Sequence, residues 1–177
     1  MKQYQLTARG IGFLIILATL TYGTGTALIT SLTGAADYLD AIYKDSNLLI
    51  TGVLLQFINS AAVIGVGVLF FPLMRKHNTT VARTYFGARI VESIMLLIGA
   101  AGTLLLIPLA QQYVASGAVN LSAYQIPGEL LIANGNFSFY LAMLALGIGS
   151  LPLCYLLYKS NLVPGWMAIL GLIGYIA

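Results

Sequence analysis

Long apolar runs alternate with short polar gaps along this chain of 177 residues. Predicted membrane spans cover about residues 11–32, 48–74, 84–109 and 137–158, with an incomplete fifth span over 166–177. A helix needs about 20 apolar residues to cross a bilayer core of about 30 Å. The runs are continuously apolar, whereas transmembrane strands alternate polar and apolar residues in segments of about ten. The pattern therefore predicts one all-α domain over residues 1–177: a polytopic transmembrane helix bundle with four full spans and the start of a fifth.

Two of the polar gaps carry predictions of their own. In the acidic gap after the first span, Leu39, Ile42 and Tyr43 follow the i, i+3, i+4 spacing of a helix, which predicts a short extracellular interfacial helix. Residues 111–126 are polar and almost uncharged, so a connection without a helix is expected there. Pro127 is placed to begin the next helix, because proline suits the first helical turn.

Composition and charge agree with a membrane protein. Only 7% of the residues are charged, whereas soluble domains carry about 25%. The net charge of +3 does not indicate nucleic acid as a partner, because the basic residues are few and sit at the borders of the spans. One side of the membrane would hold Lys2, Arg9, Arg75, Lys76, Arg83 and Lys159, and the other only Lys44. The positive-inside rule then predicts a multi-pass inner-membrane protein with a cytoplasmic N-terminus.

Few residues could carry catalysis or bind a metal. Cys154 and His77 are the only residues of their types, which excludes an intrachain disulfide and histidine-based zinc or bis-histidine haem sites. All three aspartates lie in one predicted extracellular gap, so an intramembrane aspartyl pair is absent as well. No catalytic residue, metal site or cofactor is therefore predicted, and whether the protein is an enzyme stays open.

Arg89 and Glu92 are the main candidate site, because they are ionisable residues inside the third apolar run. A single charged residue at the centre of a membrane helix costs roughly 2.5–3.5 kcal/mol, so such residues are functional candidates by default. Their spacing of three places them on one helix face, where they can pair. Two interpretations stay open: a structural pair that sets helix rotation, or a polar pocket that binds a head group, a small polar solute or a proton.

Polar residues of the other spans are candidate partners in such a pocket. They are Gln56 and Asn59 in the second span, Tyr22 with the neighbouring threonines in the first, and Asn134, Asn136 and Ser138 at the start of the fourth. Taken alone, each of these residues is better explained by helix packing, because buried amides and hydroxyls hold membrane helices together.

Three functions are weighed on these grounds. The leading hypothesis is a protein that binds a small or lipidic ligand as a transport or sensory component. The first alternative is a structural or interaction protein, with a homo-oligomer as one form of it, that assembles through small residues such as Ala61-x-x-x-Gly65 and Ala145-x-x-x-Gly149. The second is a lipid-acting enzyme with Glu92 as the base. Expected partners are membrane lipids and a small-molecule or lipid ligand.

The end of the chain resembles a known family. Residues 155–164 read YLLYKSNLVP, and Gly171, Gly174 and Tyr175 follow. This stretch looks like the tail signature of the DUF4386 family of bacterial and archaeal membrane proteins, and Arg89-x-x-Glu92 resembles the family's aromatic–Arg–x–x–Glu segment. The chain departs from the family pattern at Lys159, where Arg is more common, and at Gly165, where a basic residue is common. The resemblance implies a polytopic membrane fold and supplies no reaction. Because relatives usually continue to a sixth span or more, the native chain is expected to extend past Ala177.

Overall fold

The computed structural model describes residues 2–117, 121–160 and 163–176. Those residues form helices and contain no strand. The helices are α1 (Lys2–Thr33), α2 (Tyr38–Lys44), α3 (Ser46–Arg75), α4 (Thr79–Leu104), α5 (Leu106–Ala115), α6 (Leu121–Ser160) and α7 (Gly165–Ile176). The predicted all-α fold class is therefore confirmed.

The lengths and composition of the helices are those of a multi-pass membrane protein. Four segments of the described chain are long and apolar enough to cross a membrane: Gln5–Thr33, Ser46–Arg75, Thr79–Ala115 and Leu121–Ser160. Large apolar side chains such as Phe13, Leu54 and Leu144 are exposed on these helices. Exposed apolar side chains in such numbers suit contact with lipid chains rather than with water.

The third apolar segment is two helices with a break at Leu105. Pro108 explains the break, because it has no N–H to donate and its ring crowds the carbonyl four residues earlier, that of Leu104. Leu105 N–H instead bonds to the carbonyl of Gly102 at 3.1 Å, and the chain resumes as α5.

The boundaries on either side of the last connection differ from the predicted ones. α5 extends to Ala115 and α6 begins at Leu121, so most of the residues expected in the connection are helical. Residues 118–120 lie outside the described part. The expected helix start at Pro127 is wrong, because α6 begins at Leu121 and passes through the proline. The missing N–H of Pro127 deprives only the carbonyl of Ala123, in the first turn, of its partner.

The chain divides into two compact units. The first comprises Met1–Ile16, Ala61–Ile94 and Leu141–Ala177, and the second comprises Leu17–Ser60 and Met95–Tyr140. In the first unit, Met74, Ala82, Tyr85 and Leu153 form an apolar core. The ring of Phe70 packs edge-on against Tyr85, with the ring centroids 5.7 Å apart.

The core of the second unit lies where α2 packs against α5. Leu39 and Ile42 are fully buried there, whereas Tyr43 on the same helix is 48% exposed. Asp37 caps α2 by accepting a hydrogen bond from Asp40 N–H at 3.4 Å. The short helix predicted after the first span is thus present.

Two glycines bring α1 and α3 into backbone contact within the second unit. A Cβ atom on Gly25 would lie 2.7 Å from the carbonyl oxygen of Gly52, and a Cβ on Gly52 would lie 2.9 Å from that of Gly25. Small residues allow membrane helices to approach this closely. The crossing places Thr26, one residue after Gly25, beside the polar residues of α3.

Candidate functional site

Arg89 and Glu92 form a buried ion pair in α4, within the first unit. Arg89 Nη1 lies 2.8 Å from Glu92 Oε2, and the two side chains are 10% and 4% exposed. Arg89 Nε also donates a hydrogen bond of 3.3 Å to the backbone carbonyl of Val63 in α3. The guanidinium carbon lies 5.9 Å from the centre of the Tyr85 ring, within range of a cation–π contact.

Gly67 in α3 makes room for the arginine. A Cβ atom at this position would lie 3.1 Å from Arg89 Cβ and 3.2 Å from Arg89 Cγ. A contact that tight forces the neighbouring side chain to move, so the glycine allows the arginine stem to pack against the helix. Each charge of the pair is therefore compensated by the other, and the cation is compensated further by a backbone dipole and an aromatic ring.

The second unit holds a cavity of about 220 Å³. It is lined by Tyr22, Thr26, Ile29, Thr30, Thr33, Gln56, Leu96, Gly99, Ala100, Thr103, Leu106, Ile132, Gly135, Asn136, Ser138 and Phe139. Half of these residues carry a polar side chain, and none of them is charged. Two of the residues predicted from the sequence, Tyr22 and Gln56, therefore line one cavity. Asn59 is buried and does not line it.

The cavity has a buried floor and an exposed rim. Thr103 and Ser138, which supply hydroxyl groups to the floor, are 8% and 4% exposed. Thr30 and Asn136, which also line it, are exposed residues. At the floor, α4 and α6 approach closely at Gly99, where an added Cβ would lie 3.1 Å from Ser138 Cβ. The arrangement is a concave site whose lining includes both buried and exposed residues.

The cavity lining contains an aromatic pair as well as amide and hydroxyl groups. The rings of Tyr22 and Phe139 stack with their centroids 5.5 Å apart and an angle of 16° between their planes. Gln56 Nε2 donates a hydrogen bond of 3.3 Å to Thr26 Oγ1, which fixes the orientation of the glutamine amide. The site thus combines an apolar face with fixed polar groups, as small-molecule sites do.

Three lining threonines donate their hydroxyl protons to their own helices. Thr30 bonds to the carbonyl of Thr26 at 2.9 Å, and Thr33 bonds to that of Ile29 at 3.1 Å. Thr103 bonds to the carbonyl of Gly99 at 3.1 Å. A hydroxyl that donates its proton keeps two lone pairs as acceptors. These side chains therefore present hydrogen-bond acceptors to whatever occupies the cavity.

Sequence reasoning found part of this lining. Tyr22, Gln56, Asn136 and Ser138 were all among the candidate pocket residues. Thr103, on the floor, lies in the predicted third span and was not selected, because a single hydroxyl in an apolar run carries no distinctive pattern. Thr26 belongs to the threonines predicted beside Tyr22. Thr30 and Thr33 follow it at i+4 and i+7, a spacing that places the three hydroxyls on one face of the first helix.

Nothing in the described residues brings three or more His, Cys, Asp or Glu side chains together in a group that could hold a metal ion. The polar lining of the cavity consists of amides and hydroxyls. Its chemistry is that of hydrogen bonding to an organic ligand or to water.

The family comparison matches almost the whole chain. Residues 10–177 match the model described as Domain of unknown function (DUF4386). No curated protein and no solved structure matches this chain. The family is in agreement with the resemblance seen in the sequence, and its description assigns no reaction, ligand or partner.

Proposed function

Because the chain belongs to the DUF4386 family, whose description gives no activity, we propose its function from the geometry of its second unit. The protein binds a small or lipidic ligand in the cavity lined by Tyr22 and Gln56, as a transport or sensory component of the membrane. The observation that carries this proposal is the cavity itself: about 220 Å³, with a buried floor, an exposed rim and oriented polar groups.

The free-energy cost of placing polar side chains inside apolar segments supports a binding role for this lining. Hydroxyls and amides inside an apolar segment lose hydration and regain little from packing, about 0.6 kcal/mol on average for a hydrogen bond between membrane helices. Of the eight polar side chains around the cavity, Gln56 and Thr26 join two helices by a hydrogen bond, whereas the bonds of Thr30, Thr33 and Thr103 stay within one helix. A ligand or bound water that completes their hydrogen bonds offsets the cost.

The ion pair of Arg89 and Glu92 has a different role in this proposal. Its two charged groups lie 2.8 Å apart and Arg89 Nε donates to the Val63 carbonyl, which supports the role of a structural pair that fixes the rotation of α4. Ligand binding is therefore assigned to Tyr22 and Gln56 and not to the ion pair.

Native mass spectrometry of protein extracted gently from its own membranes tests the proposal. We expect the wild type to retain a defined molecule that Gln56→Leu loses, because this substitution removes the oriented amide at similar volume. Thr51→Val is the control, since Thr51 is an exposed residue of the same helix and does not line the cavity. Thr103→Val provides a second cavity variant if Gln56→Leu fails to fold.

A double variant, Arg89→Met with Glu92→Gln, separates the two candidate sites. It removes both charges at once, so no unpaired charge is left buried. Retention of the molecule by this variant, together with its loss in Gln56→Leu, supports the cavity as the site. Loss in the double variant and retention in Gln56→Leu would transfer the site to the ion pair. A wild type that retains nothing would overturn the binding role.

The membrane and the orientation are part of the same proposal: an inner membrane, with the N-terminus in the cytoplasm. The distribution of Lys and Arg supports this orientation. In a Cys154→Ala background, a membrane-impermeant thiol reagent applied to intact cells should label Ala36→Cys and should reach His77→Cys only after permeabilisation. The reverse labelling pattern would invert the orientation.

A further inference from the structure

The cavity lining of the second unit indicates the chemical class of the ligand, and this inference rests on the proposed function. We infer that the ligand is a small uncharged polyol, or a headgroup with the same chemistry, which donates hydrogen bonds to the cavity walls. Four properties of the lining support this class: its charge, the direction of its hydrogen bonds, its aromatic wall and its volume.

Charge excludes ionic ligands. Among the described residues, no Asp, Glu, Lys or Arg lines the cavity. Transferring an unpaired carboxylate or ammonium group from water into an apolar segment is far more costly than transferring a hydroxyl. A carboxylate, a phosphate or an amine would find no opposite charge among the lining residues, whereas a neutral molecule needs none.

The direction of the hydrogen bonds selects a donor. Thr30, Thr33 and Thr103 donate their protons to carbonyls of their own helices, which leaves their oxygens as acceptors for a ligand. Gln56 donates through Nε2 to Thr26, which leaves the Gln56 carbonyl oxygen as an acceptor directed by that bond. A ligand with several hydroxyl groups can donate to these acceptors from adjacent carbons.

The remaining wall accepts the carbon atoms of such a ligand. Tyr22 and Phe139 present stacked rings to the cavity, and the C–H face of a polyol packs against aromatic rings while its hydroxyls turn the other way. A ligand with one polar and one apolar face matches this division of the lining.

The volume limits the size. A cavity needs about 10–15 Å³ to hold one water, so about 220 Å³ leaves room for a small molecule. A four-carbon polyol such as erythritol is a molecule of this kind. The same chemistry is offered by the sugar headgroup of an uncharged glycolipid, whose acyl chains would stay outside the cavity.

Saturation-transfer-difference NMR on the full chain in phosphatidylcholine nanodiscs tests this class. The probes are erythritol, its carboxylate analogue erythronate, and the cationic amino-polyol 2-amino-1,3-propanediol. We expect a transfer signal from erythritol and background signal from both charged probes. Thr103→Val should reduce the affinity for erythritol about five-fold, the effect of one lost hydrogen bond, while the same substitution at the exposed Thr51 leaves it unchanged.

Nanodiscs doped with a glucosyl diacylglycerol distinguish the two sources of the chemistry. A weaker erythritol signal in doped discs identifies a lipid headgroup as the occupant, and an unchanged signal identifies a free polyol; both support the inferred class. Binding of erythronate as strong as that of erythritol, or an affinity for erythritol that is unchanged in both Thr103→Val and Gln56→Leu, would overturn it. If native mass spectrometry still shows a molecule that Gln56→Leu loses, only the class fails; if it shows none, the proposed function fails as well.

Discussion

Arg89 and Glu92 lie one helical turn apart on α4, with 2.8 Å between Arg89 Nη1 and Glu92 Oε2, and both side chains are almost completely buried. The same guanidinium reaches the backbone carbonyl of Val63, so it joins α4 to α3 within the first unit. A buried pair of this kind contributes little net stability compared with apolar residues, but removal of one member leaves an uncompensated charge.

Removing one member of the ion pair should therefore cost more than removing both. We expect Arg89→Met alone to destabilise the protein by about 3–5 kcal/mol, because the Glu92 carboxylate then stays buried without its partner. Arg89→Met combined with Glu92→Gln should recover most of that loss. Thermal or denaturant unfolding in detergent micelles measures both variants. Equal destabilisation by the single and double variants would show that the pair has no structural coupling.

The backbone contact at Gly25 and Gly52 should be sensitive to one added methyl group. Gly25→Ala places a Cβ against the carbonyl oxygen of Gly52, so the two helices must move apart. We expect this to lower the free energy of unfolding by about 1–3 kcal/mol. Gly23→Ala is the matched control on the same helix, since nothing lies within 4 Å of its Cβ position. Alanine is the better helix former by about 1 kcal/mol, so Gly23→Ala should be neutral or stabilising. Unfolding of the two variants measured side by side decides the matter; similar stabilities would contradict the close crossing.

Helix α2 should depend on one of two adjacent side chains. Ile42 is fully buried in the core of the second unit, and Ile42→Ala should cost about 2–5 kcal/mol because it leaves a cavity. The neighbouring Tyr43 is exposed, so Tyr43→Ala should have a much smaller effect on the free energy of unfolding. Chemical denaturation compares the two variants. A larger loss for Tyr43→Ala would mean that α2 presents its other face to the core.

Tyr38 gives the second unit a dependence on alkaline pH. Its hydroxyl donates a hydrogen bond of 3.1 Å to the carbonyl of Gln125, and burial, with a smaller contribution from the Glu129 charge, raises the pKa of Tyr38 above its usual value of 10.0. The proton is held more tightly in the folded state, so this stabilisation is present below pH 10 and is lost as the pH rises through the folded-state pKa.

Tyr38→Phe should therefore flatten the alkaline loss of stability. The variant lacks the hydrogen bond to Gln125 at every pH and has no phenol to ionise at this position. Melting temperatures measured from pH 8 to 11, relative to the wild type, provide the comparison. A wild-type and variant difference that stays constant across this range would show that Tyr38 does not titrate in the folded protein.

The sequence predicted the four long apolar helices because hydropathy is a local property that each apolar run carries within itself. It identified the α2 helix for the same reason, since Leu39 and Ile42 follow a helical spacing. The ends of the helices were harder to predict, because the first residues of α6, from Leu121, mix polar and apolar residues and do not form a continuous apolar run. Pro127 therefore looked like a start, although helices tolerate a proline in their early turns.

The cavity could not be predicted from the sequence, for a different reason. Its shape depends on how helices face one another, as in the contact of Gln56 with Thr26, which are 30 residues apart. Residue types at single positions do not determine this rotation. The charges of Arg89 and Glu92 are recognisable in the sequence of α4. The uncharged lining around Thr103 is defined only by the packing of α1, α3, α4 and α6 against one another.

Reactivity of a cysteine on the cavity floor tests the central claim most directly, because it measures the access of a small molecule to the cavity in the folded protein. In a Cys154→Ala background, Thr103→Cys should react with a small methanethiosulfonate reagent in the folded protein. Ala110→Cys, a fully buried core position that does not line the cavity, should stay unreactive. The molecule identified by native mass spectrometry should slow the reaction at Thr103→Cys. Equally slow labelling at both positions, unaffected by that molecule, would contradict a solute-accessible binding cavity in the second unit.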